Sequence, residues 1–140
     1  AVTIDIGESG DIHPANKQDV GLRLALAARA IAYGQSLTHS GPLARQMTVE
    51  GEGVARVWFD HAGGGLRGKG RELAGFEMAG PDGRFLPAEA SIDGETVLVT
   101  NPAVPVPAAV RYAWANDPPA TLYNTAGLPA SPFRVPPAGW

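Results

Sequence analysis

Residues 9–19 read SGDIHPANKQD, which sets His13 two places after Asp11 and immediately before Pro14. In serine-type acyl transfer an imidazole takes the proton of an attacking hydroxyl and returns it to the leaving group, while a nearby carboxylate fixes its tautomer. His13 has the setting for that work, a loop between a strand-like run and a helix start. Asp11 is close enough along the chain to orient it. The same D-x-H triplet also describes a solvated loop histidine beside a turn-forming aspartate, and the residues alone leave both readings open.

Three other constellations carry less. GGGLRGKG, residues 63–70, approaches the spacing of a phosphate loop. Gly70, however, stands where Ser or Thr must reach a magnesium ion, and the following RELAGFEMAG offers no helix to hold phosphate; the run reads as a glycine-rich loop. His39 and His61 do not pair with each other or with His13 at metal-ligand spacing and read as structural histidines. Trp58, Trp114 and Tyr123 have faces suited to a pyranose ring, although strand aromatics more often pack in a core.

The elements that must position His13 are legible nearby. Val2, Ile4 and Ile6 alternate with Thr3 and Asp5, predicting a short strand ended by Gly7. Asn16 caps a helix, with Asp19 three residues on, and that helix is expected from about Lys17 to Tyr33 with Gly34 as its stop. Its apolar stripe comprises Val20, Leu24, Ala27, Ala28 and Ile31, widened by Leu22 and Leu26, so neighbours must cover most of it. After a Ser/Thr/Gly/Pro-rich bridge at 35–42 the pattern turns to short strands. MTVEGEGVARVWF turns about Gly51–Gly53, GFEMAGPDGRFLPAEASI about Pro81-Asp82-Gly83, SIDGETVLV about Asp93-Gly94, and VRYAW at 110–114 alternates again. The spacing predicts an antiparallel β-sandwich or jelly-roll-like module. The Pro/Gly-rich tail after Asn116 carries Tyr123, Phe133 and Trp140, aromatics able to pin it to another surface. Two regions are therefore expected: residues 1–40 as the last strand, histidine loop and last helix of an α/β domain, and 41–140 as the β module.

Composition narrows the function classes. A 140-residue chain can bury roughly 68% of its unfolded surface, enough for a core. A net charge of -3, with 11 basic residues scattered among 14 acidic ones, gives no electrostatic footprint for nucleic acid. There is no cysteine, hence no disulfide or thiolate metal site. The longest apolar stretch, Leu22 to Tyr33, is broken by Arg23 and Arg29, so no membrane span is expected. The opening AVTIDIG lacks an initiator Met and a signal-like flank and reads as the middle of a structure, a piece of something larger.

DIGESGDIHPANKQDVGLRLALAARAIAYG resembles the C-terminal catalytic block of sialate O-acetylesterase-like proteins, a branch of the SGNH (GDSL-type) hydrolases that deacetylate sugars. GPLARQMTVEG, FDHAGGGL, AVRYAWA and LYNTAGLPASPFR resemble, in order, the segments that follow that block, so the similarity covers nearly the whole chain. The resemblance implies an α/β SGNH hydrolase fold, represented by its C-terminal strand and helix, ahead of the β module. It implies His13 as catalytic base and Asp11 as its orienter, without metal or cofactor. The common pattern is D-x-x-H, and here Gly10 occupies the carboxylate position; Asp11, Asp5, Glu8 or a backbone carbonyl could serve instead. The family's nucleophilic serine and its oxyanion donors belong to upstream motifs. Ser9, Ser36, Ser40, Ser91 and Ser131 lack that context, so the expected partner is an N-terminal chain or segment carrying the serine, and this chain alone should be inactive. The expected substrate is an acetylated carbohydrate, sialic acid or a plant cell-wall oligosaccharide, and the expected setting is periplasmic or secreted. The alternative is a non-catalytic carbohydrate-binding or assembly module.

Overall fold

Turn chemistry accounts for most of the architecture. The computed structural model describes residues 1–70 and 72–136; Arg71 and residues 137–140, with the expected anchor Trp140, lie outside the described residues. One helix, α1 (Lys17–Ile31), precedes ten strands: β1 (Leu43–Gly51), β2 (Val54–Asp60), β3 (Leu66–Gly68), β4 (Phe76–Ala79), β5 (Phe85–Pro87), β6 (Glu89–Asp93), β7 (Thr96–Thr100), β8 (Ala109–Tyr112), β9 (Leu122–Asn124) and β10 (Phe133–Val135). The expected turns form where anticipated, between β1 and β2, β4 and β5, and β6 and β7. Gly53 has a φ of 67°, and a Cβ there would lie 2.7 Å from the Asn101 carbonyl oxygen, so both conformation and space demand glycine.

All strand pairs are antiparallel and form sheets ordered β1-β2-β7-β6 and β10-β8-β4-β5, with β3 and β9 as a separate ribbon. Alternation sends Met47, Val57, Val97 and Val99 from the first sheet and Met78, Val110, Tyr112 and Phe133 from the second into one buried cluster. Phe59 meets Phe133 edge-on across the layers at 5.6 Å between ring centroids. This is the β-sandwich expected of the module. Strands β3, β9 and β10 were not anticipated, since three-residue strands leave too little alternation to read.

The N-terminal region departs from expectation in two ways. Residues 2–6 form no strand; the Ile6 amide turns back to donate to the Thr3 carbonyl at 3.3 Å. A strand needs a paired neighbour, and no strand among the described residues lies alongside; Val2 and Asp5 instead contact α1. The helix itself begins as expected, with Asn16 Oδ1 accepting the Asp19 amide at 3.1 Å, and it ends at Ile31, with Gly34 beyond it at a φ of 65°. Its inward face differs, however. Arg23 is its one buried residue, whereas Leu22, Leu24 and Ile31 of the apolar stripe are exposed. An ion pair, described next, chooses that face.

Candidate active site

The loop that presents His13 is tied down at every few residues. The Asp11 amide donates to the Glu8 carbonyl at 3.1 Å, closing a turn. Glu8 Oε1 accepts the Ala15 amide at 2.7 Å, which ties the far side of the loop back to its start. Asp11 Oδ1 accepts the His13 amide at 2.7 Å, an Asx-type turn that sets the backbone of the histidine directly. Pro14 and the Asn16 cap then lead into α1. His13 is exposed, as is Ile12 before it at 90%. Among the described residues the His13 ring has no hydrogen-bond partner.

Below the loop lies a buried charge cluster. Arg23 holds the Asp5 carboxylate with two hydrogen bonds, 2.6 and 2.8 Å, and donates a third to the Val2 carbonyl at 2.7 Å. Both side chains are nearly inaccessible, at 9% and 7% exposure. The Tyr123 hydroxyl of β9 donates to the same carboxylate at 3.3 Å, joining the loop to the β module. Burial pushes the Asp5 carboxyl up, but the hydrogen bonds and charge of Arg23 outweigh it and leave the group below its ordinary value. Burial, then the charge and hydrogen bond of Asp5, push the Tyr123 phenol up to about 12. A second tether links Ser9 Oγ, as donor, to Asp117 Oδ2.

Each residue anticipated from the sequence has a definite place. His13 and Asp11 share one turn, with Asp11 acting on the histidine backbone. Asp5 is committed to Arg23 and Glu8 to Ala15. His39 and His61 meet edge-on at 5.3 Å between centroids, drawn together by Asn124, whose amide donates to the Ser40 and His61 carbonyls at 2.9 and 3.1 Å. No group of three or more metal-ligating side chains occurs among the described residues. The glycine-rich run contains β3, and among the described residues no helix follows it. Trp58 is half-buried, its indole N–H donating to Thr48 Oγ1 at 3.1 Å, while Trp114 is exposed. The Arg23–Asp5–Tyr123 cluster and the Ser9–Asp117 tether escaped the sequence reading. The one available signal was an arginine interrupting an otherwise apolar helix.

No family model matches the chain. A solved structure does: that of a novel carbohydrate acetylesterase from Xanthomonas citri superposes on 100% of the chain with a TM-score of 0.90 at 49% identity, and the match takes up 32% of that longer chain. The fold is thus that of one portion of a longer carbohydrate acetylesterase chain. Sialate O-acetylesterases of Mus musculus and Homo sapiens are 33% and 31% identical to it, over 95% and 89% of the chain. The chain is sialate O-acetylesterase-like in sequence, corresponding to the C-terminal part of these relatives. It spans about a quarter of the length of these curated relatives, 27% and 25%.

Proposed function

We propose that this chain is the part of a carbohydrate O-acetylesterase that carries the general base, and that another segment of the SGNH-type domain supplies the serine and the oxyanion hole. The observation that carries this reading is the superposition of the whole of this chain, at 49% identity, on 32% of the length of a carbohydrate acetylesterase. The tethered presentation of His13 supports it, because an acid-base catalyst must be held in place before the substrate arrives. The exposed Ile12, Leu22, Leu24 and Ile31 around that loop and helix support a covering segment as well.

In this reading His13 removes the proton of the serine as its oxygen attacks the acetyl carbonyl. The tetrahedral oxyanion collapses, and the same proton passes to the departing sugar hydroxyl, leaving an acetyl-enzyme. His13 then deprotonates a water that releases acetate and regenerates the serine. Asp11 anchors the His13 amide through Oδ1, and in the assembled site its carboxylate would orient the imidazole. The sugar is sialic acid or a plant cell-wall oligosaccharide. In the full-length protein, His13→Ala lowers acetate release from an acetylated sugar by ~10²- to 10⁴-fold; near-normal turnover refutes the assignment. Asp11→Asn separates the two duties of Asp11, since an amide oxygen still accepts the His13 amide but carries no charge for the ring. Activity retained in Asp11→Asn but lost in Asp11→Ala would restrict Asp11 to shaping the loop. A purely glycan-binding module would bind the acetylated sugar and release no acetate.

A further inference from the structure

The loop after β8 is built more expensively than a connection requires. Ala113 sits in the left-handed region at a φ of 53°, one of two non-glycine residues there among those described. That conformation is sterically costly for an L-residue; it persists only where its surroundings impose it and is concentrated at ligand clamps. Here the Ala113 amide donates to the Gly75 carbonyl at 2.9 Å, and the residue is buried. The consequence is that Trp114 projects outward, 54% exposed, although its chain neighbours Tyr112 and Ala113 are buried. A groove of about 320 Å³ lies beside it, lined by Ala113, Trp114, Ala115, Asn116 and Pro132.

The position of this loop gives the groove its meaning. Three residues beyond Trp114, a reach of about 11 Å at most, Asp117 accepts the Ser9 hydroxyl. Ser9 belongs to the turn closed between Glu8 and Asp11, the one that leads into the Asp11–His13 turn. An exposed indole, flanked by the exposed amide of Asn116 and carboxylate of Asp117, therefore belongs to a loop that is hydrogen-bonded to the one leading to the proposed base. A flat apolar face edged with hydrogen-bonding groups matches a pyranose ring, whose C–H face is apolar and whose rim is hydroxylated. We propose that Trp114 is a specificity-determining residue: its indole stacks on the sugar ring, or on the next ring of an oligosaccharide, whose acetyl ester His13 serves. The inference rests on the esterase reading above and adds to it the subsite that distinguishes a sugar ester from a simple one.

The test uses the full-length protein and two esters, an acetylated oligosaccharide and p-nitrophenyl acetate, which has no sugar. In Trp114→Ala the ratio of kcat/KM for the sugar ester to that for p-nitrophenyl acetate falls about tenfold, mainly through KM, and Trp114→Phe recovers most of it. A ratio that stays constant, whether both activities hold or both fall together, overturns the proposal and leaves the esterase reading intact. Should the wild-type protein hydrolyse neither ester, the esterase reading fails, and the subsite is then judged by fluorescence titration with the deacetylated oligosaccharide. Quenching present in the wild type and abolished in Trp114→Ala sustains the stacking role; quenching that persists in Trp114→Ala, or is absent from the wild type, overturns it.

Discussion

The Arg23–Asp5 pair makes the sharpest demand on the reasoning. With side chains only 9% and 7% exposed, neither group can fall back on water when its partner is lost. Removing one member of a buried pair costs about 3–5 kcal/mol, because the other charge stays buried, whereas replacing both by apolar groups of similar volume is near neutral or stabilising. Arg23→Met would strand the Asp5 carboxylate with one 3.3 Å hydrogen bond from Tyr123. Asp5→Leu would strand the guanidinium with the Val2 carbonyl. Each single variant should therefore loosen α1 and the His13 loop by about 3 kcal/mol or more, and the double variant by far less, a coupling of at least about 3 kcal/mol. Native-state hydrogen exchange in the full-length protein reads this locally, at the amides of α1 and at Asp11, His13 and Ala15. An opening cheaper by about 3 kcal/mol appears as exchange roughly a hundredfold faster in the single variants, restored toward wild type in the double. If the two substitutions add to within about 0.5 kcal/mol, the pair is not coupled and the account of how the loop is held is wrong.

The same cluster sets the pH limits. Asp5 lies below its ordinary value, so its stabilisation is complete above the unfolded carboxylate range near 3.8 and is lost as pH falls further through the folded value; acid-induced loosening of α1 should begin only below about pH 4 and disappear in Asp5→Asn. Tyr123 is shifted the other way, so what it contributes is complete below pH 10 and lost as pH rises toward 12; an absorbance titration should show one tyrosine ionising near pH 12, missing in Tyr123→Phe. Asn124, wholly buried, donates to the Ser40 and His61 carbonyls and accepts the Ala126 and Leu128 amides. Asn124→Ala orphans them at about 1–3 kcal/mol for each group left unsatisfied; a loss of at least about 3 kcal/mol should lower the melting temperature by roughly 6–12 °C, and a change under 2 °C would contradict that role.

How far the molecule was legible depends on the range of the forces involved. The Asn16 cap, the Gly34 stop and the Gly51–Gly53 turn act within a few residues, through backbone stereochemistry and a single hydrogen bond. They can be read wherever those residue types occur. Alternation in VARVWF and TVLVT likewise marks one buried face without saying what buries it. Val2, Ile4 and Ile6 show where such reading fails: they alternate, yet a strand exists only beside a partner, and here Arg23 takes the backbone oxygen and the carboxylate of that segment.

By itself the sequence determined the hairpins, the helix and its cap, the lack of any cysteine thiolate, and the histidine loop, marked by DIGESGDIHPANKQD and its resemblance to a family of esterases. Tertiary structure alone decided which face of α1 turns inward, which carboxylate Arg23 neutralises, and that Asp117 meets Ser9. Those decisions rest on hydrogen bonds between groups 18, 108 and 118 residues apart. Such bonds are worth making only after the sandwich has brought their partners together and withdrawn them from water, and no local pattern of residues records that meeting.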